Sequence, residues 1–235
     1  MADQWLFCDF HIHTDASDGA HPLEEIVDLY GSNGFDVIAI TDHIIDSRCA
    51  EERRALGLSP SAIPQDEFHG YLHRLWREKK RAWREYNMLL IPGAEITNNT
   101  GQYHILGLDI KKYISPDLKV AEIVDAIHAQ EGIAVACHPH YKEEVETQPV
   151  YAHLWENHQE YKDLFDAWEV ANRDSLFDVV GLRKFNYIAN SDLHDKSQIY
   201  SWKTMLNCER NTEAVKETIR RNKRIGICLF RNHDT

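Results

Sequence analysis

Short apolar runs alternate along the chain with longer segments in which apolar residues recur every three or four positions. The short runs are typical of buried strands, and the longer spacing is typical of one face of a helix. The predicted strands are 5–10, 37–40, 88–91, 103–108, 133–136, 165–170, 187–189 and 225–230. The predicted helices are 22–30, a segment that starts at 115 and carries its apolar face over 120–127, and 212–221.

This alternation of strand and helix predicts an α/β fold with a parallel sheet. About seven strands in one domain favour a closed or distorted barrel over an open sheet. Residues 51–87 interrupt the alternation, because they form a long, charged and mostly helical insert. Leu72, Leu75, Trp76 and Trp83 are predicted to form its apolar stripe. The insert is either a helix packed on the outside of the barrel or a lid over its mouth.

Polar side chains follow five of the predicted strands where each strand ends. The five segments are His11-Ile12-His13, Thr41-Asp42-His43, Gly93-Ala94-Glu95, His138-Pro139-His140 and Ser191-Asp192-Leu193-His194. In a barrel of strands and helices these carboxyl ends converge on one mouth, where the chemistry occurs. We therefore expect the five segments to form one site.

The spacing of these residues indicates metal binding. Alternate side chains of a strand face the same way, so His11 and His13 can bind one ion. Asp192 and His194 repeat this spacing, although a turn with an exposed histidine is the alternative for them. Glu95 has two carboxylate oxygens and can bridge two ions.

The remaining candidates have a structural alternative each. Asp42 precedes His43 and is predicted either to fix the tautomer of that imidazole or to cap a helix. His104 lies in an alternating strand, where a buried structural histidine is the alternative. His138 ends its strand directly and is predicted to be a ligand, whereas His140 is expected to face substrate or solvent.

The composition of the chain limits which binding partners are expected. The formal net charge is -12 at pH 7, so a long nucleic acid is not expected to bind, because phosphate recognition usually needs a basic face. Fourteen histidines exceed the needs of a solvated surface and favour a metal site, whose ions would attract an anionic substrate. Five scattered cysteines, with neither a signal peptide nor a membrane-spanning run, predict a cytoplasmic location and no membrane partner.

Taken together, the motifs resemble those of the PHP (polymerase and histidinol phosphatase) family. The matching segments are His11-Ile12-His13-Thr14, Ser17-Asp18-Gly19, Thr41-Asp42-His43, Pro92-Gly93-Ala94-Glu95, His104, His138-Pro139 and Ser191-Asp192-Leu193-His194. They occur in the family's order, and the tail around 214–224 also resembles it, so the resemblance covers almost the whole chain. Ile44-Ile45 and the long insert depart from the family pattern and bear on substrate choice.

The resemblance implies a distorted (β/α)7 TIM-like barrel over residues 1–235, with the metal site at the carboxyl ends of the strands. It implies two to three divalent ions, for which imidazole and carboxylate ligands suit Zn, Mn or Fe. The ligand sets that it implies are His11, His13, Glu95 and Asp192 for one ion, Glu95, His104 and His138 for a second, and Asp18, His43 and His194 for a third.

The implied activity is that of a metal-dependent phosphoesterase, in which a metal-bridging hydroxide attacks a small phosphorylated metabolite or nucleotide. The ester can be a monoester or a diester. Asp192 is expected to exchange protons as well as bind metal, and Arg173, Lys203 and His140 are expected to contact the substrate. The alternatives are a non-catalytic, metal-binding PHP module, and a C–N hydrolase that uses the same type of site.

Overall fold

The computed structural model describes residues 5–139, 152–173, 175–177, 180 and 184–231. The strands are β1 (Leu6–Asp9), β2 (Val37–Ile40), β3 (His43–Ile45), β4 (Leu89–Asn98), β5 (Tyr103–Leu108), β6 (Ile133–Ala136), β7 (Ala167–Asn172), β8 (Ser175–Leu176), β9 (Tyr187–Asn190), β10 (Trp202–Leu206) and β11 (Ile225–Leu229). The α-helices are α1 (Leu23–Ser32), α2 (Ser47–Ala55), α3 (Phe68–Tyr86), α4 (Val120–His128), α5 (His153–Glu156), α6 (His158–Tyr161) and α7 (Thr212–Arg221), and Lys196–Ile199 forms a 3-10 turn.

The strands form one curled, mixed sheet in the order β11-β10-β1-β2-β4-β5-β6-β7-β8, with β3 beside β4 and β9 beside β7. The α/β fold is confirmed, but the expectation of an all-parallel sheet is wrong. The pairs β4–β5, β5–β6, β1–β10 and β10–β11 are antiparallel. Only residues 99–102 separate β4 from β5, which is too short for the crossover of about a dozen residues that parallel neighbours need.

The sheet is covered on both faces, and strand β2 shows how. Val37 and Ala39 pack into one apolar cluster with other strand residues, whereas Ile38 and Ile40 pack into a second cluster with helices α1, α3 and α4. A strand buried on both faces has no polar positions, which is why β2 appears in the sequence as a continuous apolar run. The curl also brings the ends of β1 and β9 together, through a parallel bridge between Ile12 and Leu193.

The insert at 51–87 contains most of α2, all of α3 and the segment 56–67 between them. Helix α3 packs against β4 and α1, as the interpretation of an outer helix predicts. Leu72 and Leu75 are buried as predicted, but Trp76 and Trp83 are 39% and 48% exposed, so that half of the predicted stripe is wrong. The buried face continues instead through Glu78 and Ala82, three and seven positions after Leu75.

Within the described residues, no helix combines the length and the apolar character that crossing a bilayer requires.

Candidate metal centre

The nine predicted metal ligands lie in one continuous cluster. Their ligand atoms form four overlapping groups, and the atoms of each group lie within 4.8 Å of one another. The groups are His13-Asp18-His43-His194, His11-His13-Asp192, His11-Glu95-His138 and His43-Glu95-His104. This grouping differs from the resemblance-implied sets, because His13 also joins Asp18, His43 and His194, Glu95 is not grouped with Asp192, and His104 and His138 belong to different groups. Both groups share Glu95.

Strand β1 positions the first two ligands. His11 and His13 follow its last residue and are fully buried, while Ile12 between them points into the apolar core. The Nε2 atom of His11 lies 3.1 Å from Oε2 of Glu95, and Nε2 of His13 lies 3.3 Å from the same oxygen. Asp192 Oδ1 lies 3.3 Å from both Nε2 atoms. The two-residue spacing therefore directs both imidazoles at the same pair of carboxylates.

Glu95, on β4, is the centre of the cluster. Its Oε1 atom is 2.7 Å from Nδ1 of His104 and 3.2 Å from Nε2 of His138. Its Oε2 atom is 3.1 Å from Nδ1 of His43 as well as from His11. The two oxygens thus face different histidines, which is the arrangement that a carboxylate bridging two ions needs.

Asp18 is brought to the cluster by a loop that Asp42 holds. Asp42 accepts hydrogen bonds from the backbone N–H and the hydroxyl of Thr14, at 2.7 and 2.8 Å, and from the hydroxyl of Ser17 at 2.7 Å. Asp18 then lies 3.3 Å from Nε2 of His194. The loop packs so tightly at Gly19 that a Cβ atom there would stand 2.7–2.8 Å from backbone atoms of residues 13 and 14, so only glycine fits.

The expected role of Asp42 beside His43 is therefore wrong. The described hydrogen bond of His43 Nδ1 is to the hydroxyl of Thr97, at 2.7 Å. The helix that follows is capped by Asp46, which accepts from the N–H of Cys49. Asp42 instead orders the loop that carries a neighbouring ligand.

The electrostatics of the cluster differ between adjacent imidazoles. Burial alone would lower the pKa of His13, but the carboxylates of Asp192 and Glu95 outweigh it and raise that pKa to about 9. Burial dominates at His43 and lowers its pKa to about 3. Burial alone would raise the pKa of Glu95. The neighbouring imidazoles of His43, His11 and His104 outweigh burial and hold that pKa well below the usual range.

These donors fit divalent metal ions. Neither ring nitrogen of the buried His13 makes a hydrogen bond to any residue that the structure describes. Buried polar atoms without such a bond are costly, and a bound cation would use the lone pair of His13. A mixture of imidazole nitrogens and carboxylate oxygens at this density is the ligand chemistry of Zn, Mn and Fe.

The backbone is strained at three positions around the cluster. His138, Asp192 and Arg173 have φ angles of 25°, 50° and 50°. Residues other than glycine seldom adopt this region, and each instance costs on the order of 1–3 kcal/mol. Two of the three are candidate ligands, and the third contacts one.

Of the two predicted substrate residues that the structure describes, Arg173 and Lys203, Arg173 lies at the cluster. Its guanidinium lies 3.1 Å from Oδ2 of Asp192 and 3.2 Å from Nδ1 of His194. The side chain is 46% exposed, so the rest of the guanidinium fork is available to a ligand.

A cavity of about 200 Å³ opens beside the ligands. Its lining residues are Asp18, His43, Ile45, Arg53, Pro60, Ser61, Thr97, Asn99 and His104. Three of them belong to α2 and the segment that follows it, so part of the insert borders the site while α3 packs on the outside. Arg53 was not predicted, because a charge on an exposed helix carries no distinguishing sequence signal.

Lys203 lies away from the cluster. Its ammonium is fully buried, 3.2 Å from Oδ2 of Asp9 and 2.7 Å from the hydroxyl of Ser201. Burial lowers the pKa of Lys203, and Asp9 opposes this shift. Because the side chain has no exposed surface, its expected contact with substrate is not supported by its position. His140, the other expected substrate contact, lies outside the described residues.

Glu169 is a buried residue of the site that sequence reasoning missed. It lies on β7 and contacts the ring of His11 and the backbone N–H of His138. The one available signal was a single carboxylate inside the otherwise uncharged run Ala-Trp-Glu-Val-Ala-Asn.

Comparison with known proteins agrees with this geometry. The model of the PHP domain matches residues 9–223. No curated protein matches the chain.

Three solved structures are similar in fold. A two-domain protein from Bacteroides vulgatus, described as containing a predicted PHP-like metal-dependent phosphoesterase, is 20% identical with a TM-score of 0.72, and the match covers 97% of this chain and 65% of that one. PsfC from Pseudomonas syringae is 12% identical with a TM-score of 0.61, covering 96% and 92%. An amidohydrolase from Chromobacterium violaceum, with bound sulfate and no metal, is 14% identical with a TM-score of 0.50, covering 80% and 87%. At these identities the similarity concerns the fold alone.

Proposed function

Because the chain belongs to the PHP domain family, we propose that it is a metal-dependent phosphoesterase acting on a small phosphorylated metabolite or nucleotide. The observation that carries this proposal is the cluster of six imidazoles and three carboxylates beside an open cavity. The curled sheet supports the distorted (β/α)7 barrel expected from the sequence.

We assign two to three divalent ions, Zn, Mn or Fe, to this cluster. Glu95 would be shared between ions, with His11, His13 and Asp192 on one side and His43 and His104 on the other. His138 and the Asp18-His194 pair would complete the set. When bound, such ions lower the pKa of water so that a nucleophile is available near pH 7, and they stabilise charge on phosphoryl oxygens.

The chain's own residues would orient the ester. The free edge of the Arg173 guanidinium offers parallel N–H donors, the geometry that binds phosphoryl oxygens. Asp192, between Arg173 and the imidazoles, would exchange a proton with the attacking water or the leaving oxygen. Arg53 and Asn99 line the cavity and would contact the leaving group.

The size and charge of the site favour a small substrate. The cavity of about 200 Å³ is below the roughly 300–1,000 Å³ of pockets for drug-sized ligands. The net charge of -12 opposes a long polyanion, since a nucleic-acid backbone needs an extended basic surface.

A C–N hydrolase is the second candidate, and the fold shared with an amidohydrolase favours it. Barrel amidohydrolases often use a bridging lysine. Among the residues that the structure describes, no lysine contacts the cluster, which favours the phosphoesterase. A non-catalytic module is less supported, because all nine ligand positions are filled.

The test combines elemental analysis of metal content with hydrolysis of p-nitrophenyl phosphate and bis-p-nitrophenyl phosphate after Mn or Zn reconstitution. We expect two to three ions per chain and metal-dependent turnover, with the preferred ester separating monoesterase from diesterase. Glu95→Gln is the matched control and should lose both metal and turnover. A full metal complement without turnover on either ester, or on a panel of nucleotides and sugar phosphates, would contradict the proposal.

A further inference from the structure

Building on the metal centre that the proposed function requires, we propose that Glu169 is a positioning residue that fixes the tautomer of His11. It would thereby decide which ring nitrogen of His11 faces the metal. Glu169 is not one of the nine candidate ligands, and it faces the far side of the His11 ring.

Both oxygens of Glu169 are saturated with hydrogen bonds. Oε1 lies 2.9 Å from Nδ1 of His11 and accepts from Nδ2 of Asn190 at 2.8 Å. Oε2 accepts from the backbone N–H of His138 at 2.7 Å and from Nδ2 of Asn172 at 2.9 Å. The carboxylate is fully buried, so these four contacts replace its hydration.

An ionised carboxylate only accepts hydrogen bonds, so Nδ1 of His11 must carry its proton toward Glu169. The lone pair that remains is on Nε2, which lies 3.1 Å from Glu95 Oε2 and 3.3 Å from Asp192 Oδ1. Three acceptor atoms that converge in this way would suit a cation. A histidine that ligates metal through one nitrogen commonly donates the other N–H to a carboxylate, which sets the ring orientation.

Glu169 also supports a second candidate ligand. The backbone of His138 has a φ of 25°, and its N–H is held by Oε2 of Glu169. His11 and His138 belong to the same group, together with Glu95. One carboxylate on β7 therefore orients two ligands of one ion, and loss of its charge should affect that ion most.

A change of Glu169 to glutamine tests this role at nearly constant volume. The amide nitrogen of the glutamine must replace one of the two carboxylate oxygens, either the one beside His11 and Asn190 or the one beside His138 and Asn172. The backbone N–H of His138 cannot become an acceptor, whereas the ring of His11 can, so we expect the amide nitrogen to face His11. The proton of His11 would then move to Nε2, where it blocks metal binding.

The experiment measures metal affinity by competition with a graded chelator, using Zn or Mn alone as the probe. We expect Glu169→Gln to lose about one ion per chain, or to bind it about 10–100-fold more weakly. Glu78→Gln is the matched control, because it is the same change at a buried glutamate on α3, where Glu78 bonds Arg81. It should leave metal affinity unchanged.

The tautomer is read independently by nitrogen-15 NMR of histidine-labelled protein, with His11→Asn identifying the signal. With the same concentration of Zn added to both proteins, we expect the proton of His11 on Nδ1 in the parent protein and on Nε2 in Glu169→Gln. If Glu169→Gln does not fold, Glu169→Asp, which keeps the charge but shortens the reach, should weaken metal binding. Unchanged metal affinity in the variant that folds, or a His11 ring protonated on Nε2 in the metal-loaded parent protein, would overturn the proposal. A parent protein that binds metal but hydrolyses no ester would refute the proposed function and leave this result intact.

Discussion

Asp192 lies between the imidazoles at the centre of the cluster and an exposed arginine. Burial alone would raise its pKa, but His11, His13 and Arg173 outweigh burial and hold that pKa well below the usual range. A carboxylate that stays ionised can ligate metal. Its contact with the exposed Arg173 also places it at the side of the cluster that solvent and substrate can reach. Its role in proton exchange can therefore be separated from its role as a ligand.

Changing Asp192 to asparagine keeps an oxygen ligand but removes the proton acceptor. We expect turnover to fall by about 10²–10⁴-fold, the range typical of a lost general acid or base. Metal content should fall much less, because the other ligands remain. Turnover at saturating metal and elemental analysis on the same sample measure both. Equal losses of metal and turnover would remove the proton-exchange role.

Changing Arg173 to alanine should weaken substrate binding without displacing metal. Hydrogen bonds to charged groups contribute roughly 1.5–3 kcal/mol, so kcat/KM should fall by about 10–100-fold. Arg48→Ala is the control, since Arg48 is 70% exposed and pairs with Glu52 on the same helix. The assignment of Arg173 fails if the two variants have the same kcat/KM.

The candidate ligands could be picked out from the sequence because their signals are local. The spacing of His11 and His13, and the position of Glu95 at a strand end, can be seen within a few residues of sequence. Glu169 could not be found in this way, since it is 158 positions from its partner His11. Thr97, 54 positions from His43, was missed for the same reason.

At the scale of elements, the strands made mostly of apolar residues were predicted. The observed bounds of β2, β5 and β6 equal the predicted ranges. Strand β10 was missed because it contains Lys203 and Thr204, which the fold buries completely. Lys203 can occupy a strand interior only because Asp9, on the neighbouring strand β1, provides a counter-charge that the local pattern does not reveal.

This pair leads to a prediction about the β1–β10 contact. Lys203→Met removes one partner of a buried ion pair, and the loss leaves an uncompensated charge that typically costs 3–5 kcal/mol, so we expect a loss of about that size. Asp9 keeps hydrogen bonds from Tyr30 and from the N–H of Ser191, so the loss should not exceed this range. Urea unfolding at pH 7 measures it.

The double variant Asp9→Asn with Lys203→Met is the control for that experiment. Removing both charges should restore part of the lost free energy of unfolding. If the double variant is less stable than Lys203→Met by the full effect of Asp9→Asn alone, the two charges are not coupled.

Helix α4 is joined to the chain before β7 by His128 and Asp166, whose side chains are 2.9 Å apart. The hydrogen bond to Asp166 raises the pKa of His128 above its usual value. Stability from this contact is therefore fully present below about pH 6.5, the ordinary histidine value, and is lost as pH rises through the raised pKa. Since His128 is partly exposed, the effect should be small.

Comparing the parent protein with His128→Gln isolates this contribution. The difference in urea midpoint should favour the parent at pH 5.5 and shrink toward zero at pH 9. His158→Gln, a change on α6 away from Asp166, controls for the loss of a histidine as such. A difference that grows with pH would contradict the assignment.

At the scale of the whole molecule, the cluster joins parts of the chain that are distant in sequence. Its candidate ligands come from the ends of β1 and β6, from the loop before α1, from β3, β4 and β5, and from the segment after β9. They extend from His11 to His194, so segments that are distant along the chain contribute to one centre. Bound metal would then stabilise the fold as a whole.

Removal of metal should therefore lower the melting temperature of the entire chain in one transition. A ligand at 100 times its Kd stabilises the native state by about 2.7 kcal/mol, and about 1 kcal/mol shifts Tm by roughly 2–4 °C at this size. We expect a chelator to lower Tm by on the order of 5–10 °C, and added Zn or Mn to restore it in proportion to the logarithm of free metal. Glu95→Gln, which lacks the shared ligand, should show little of this dependence. If the parent melts at the same temperature with and without metal, the nine residues do not act as one metal centre, whatever their proximity.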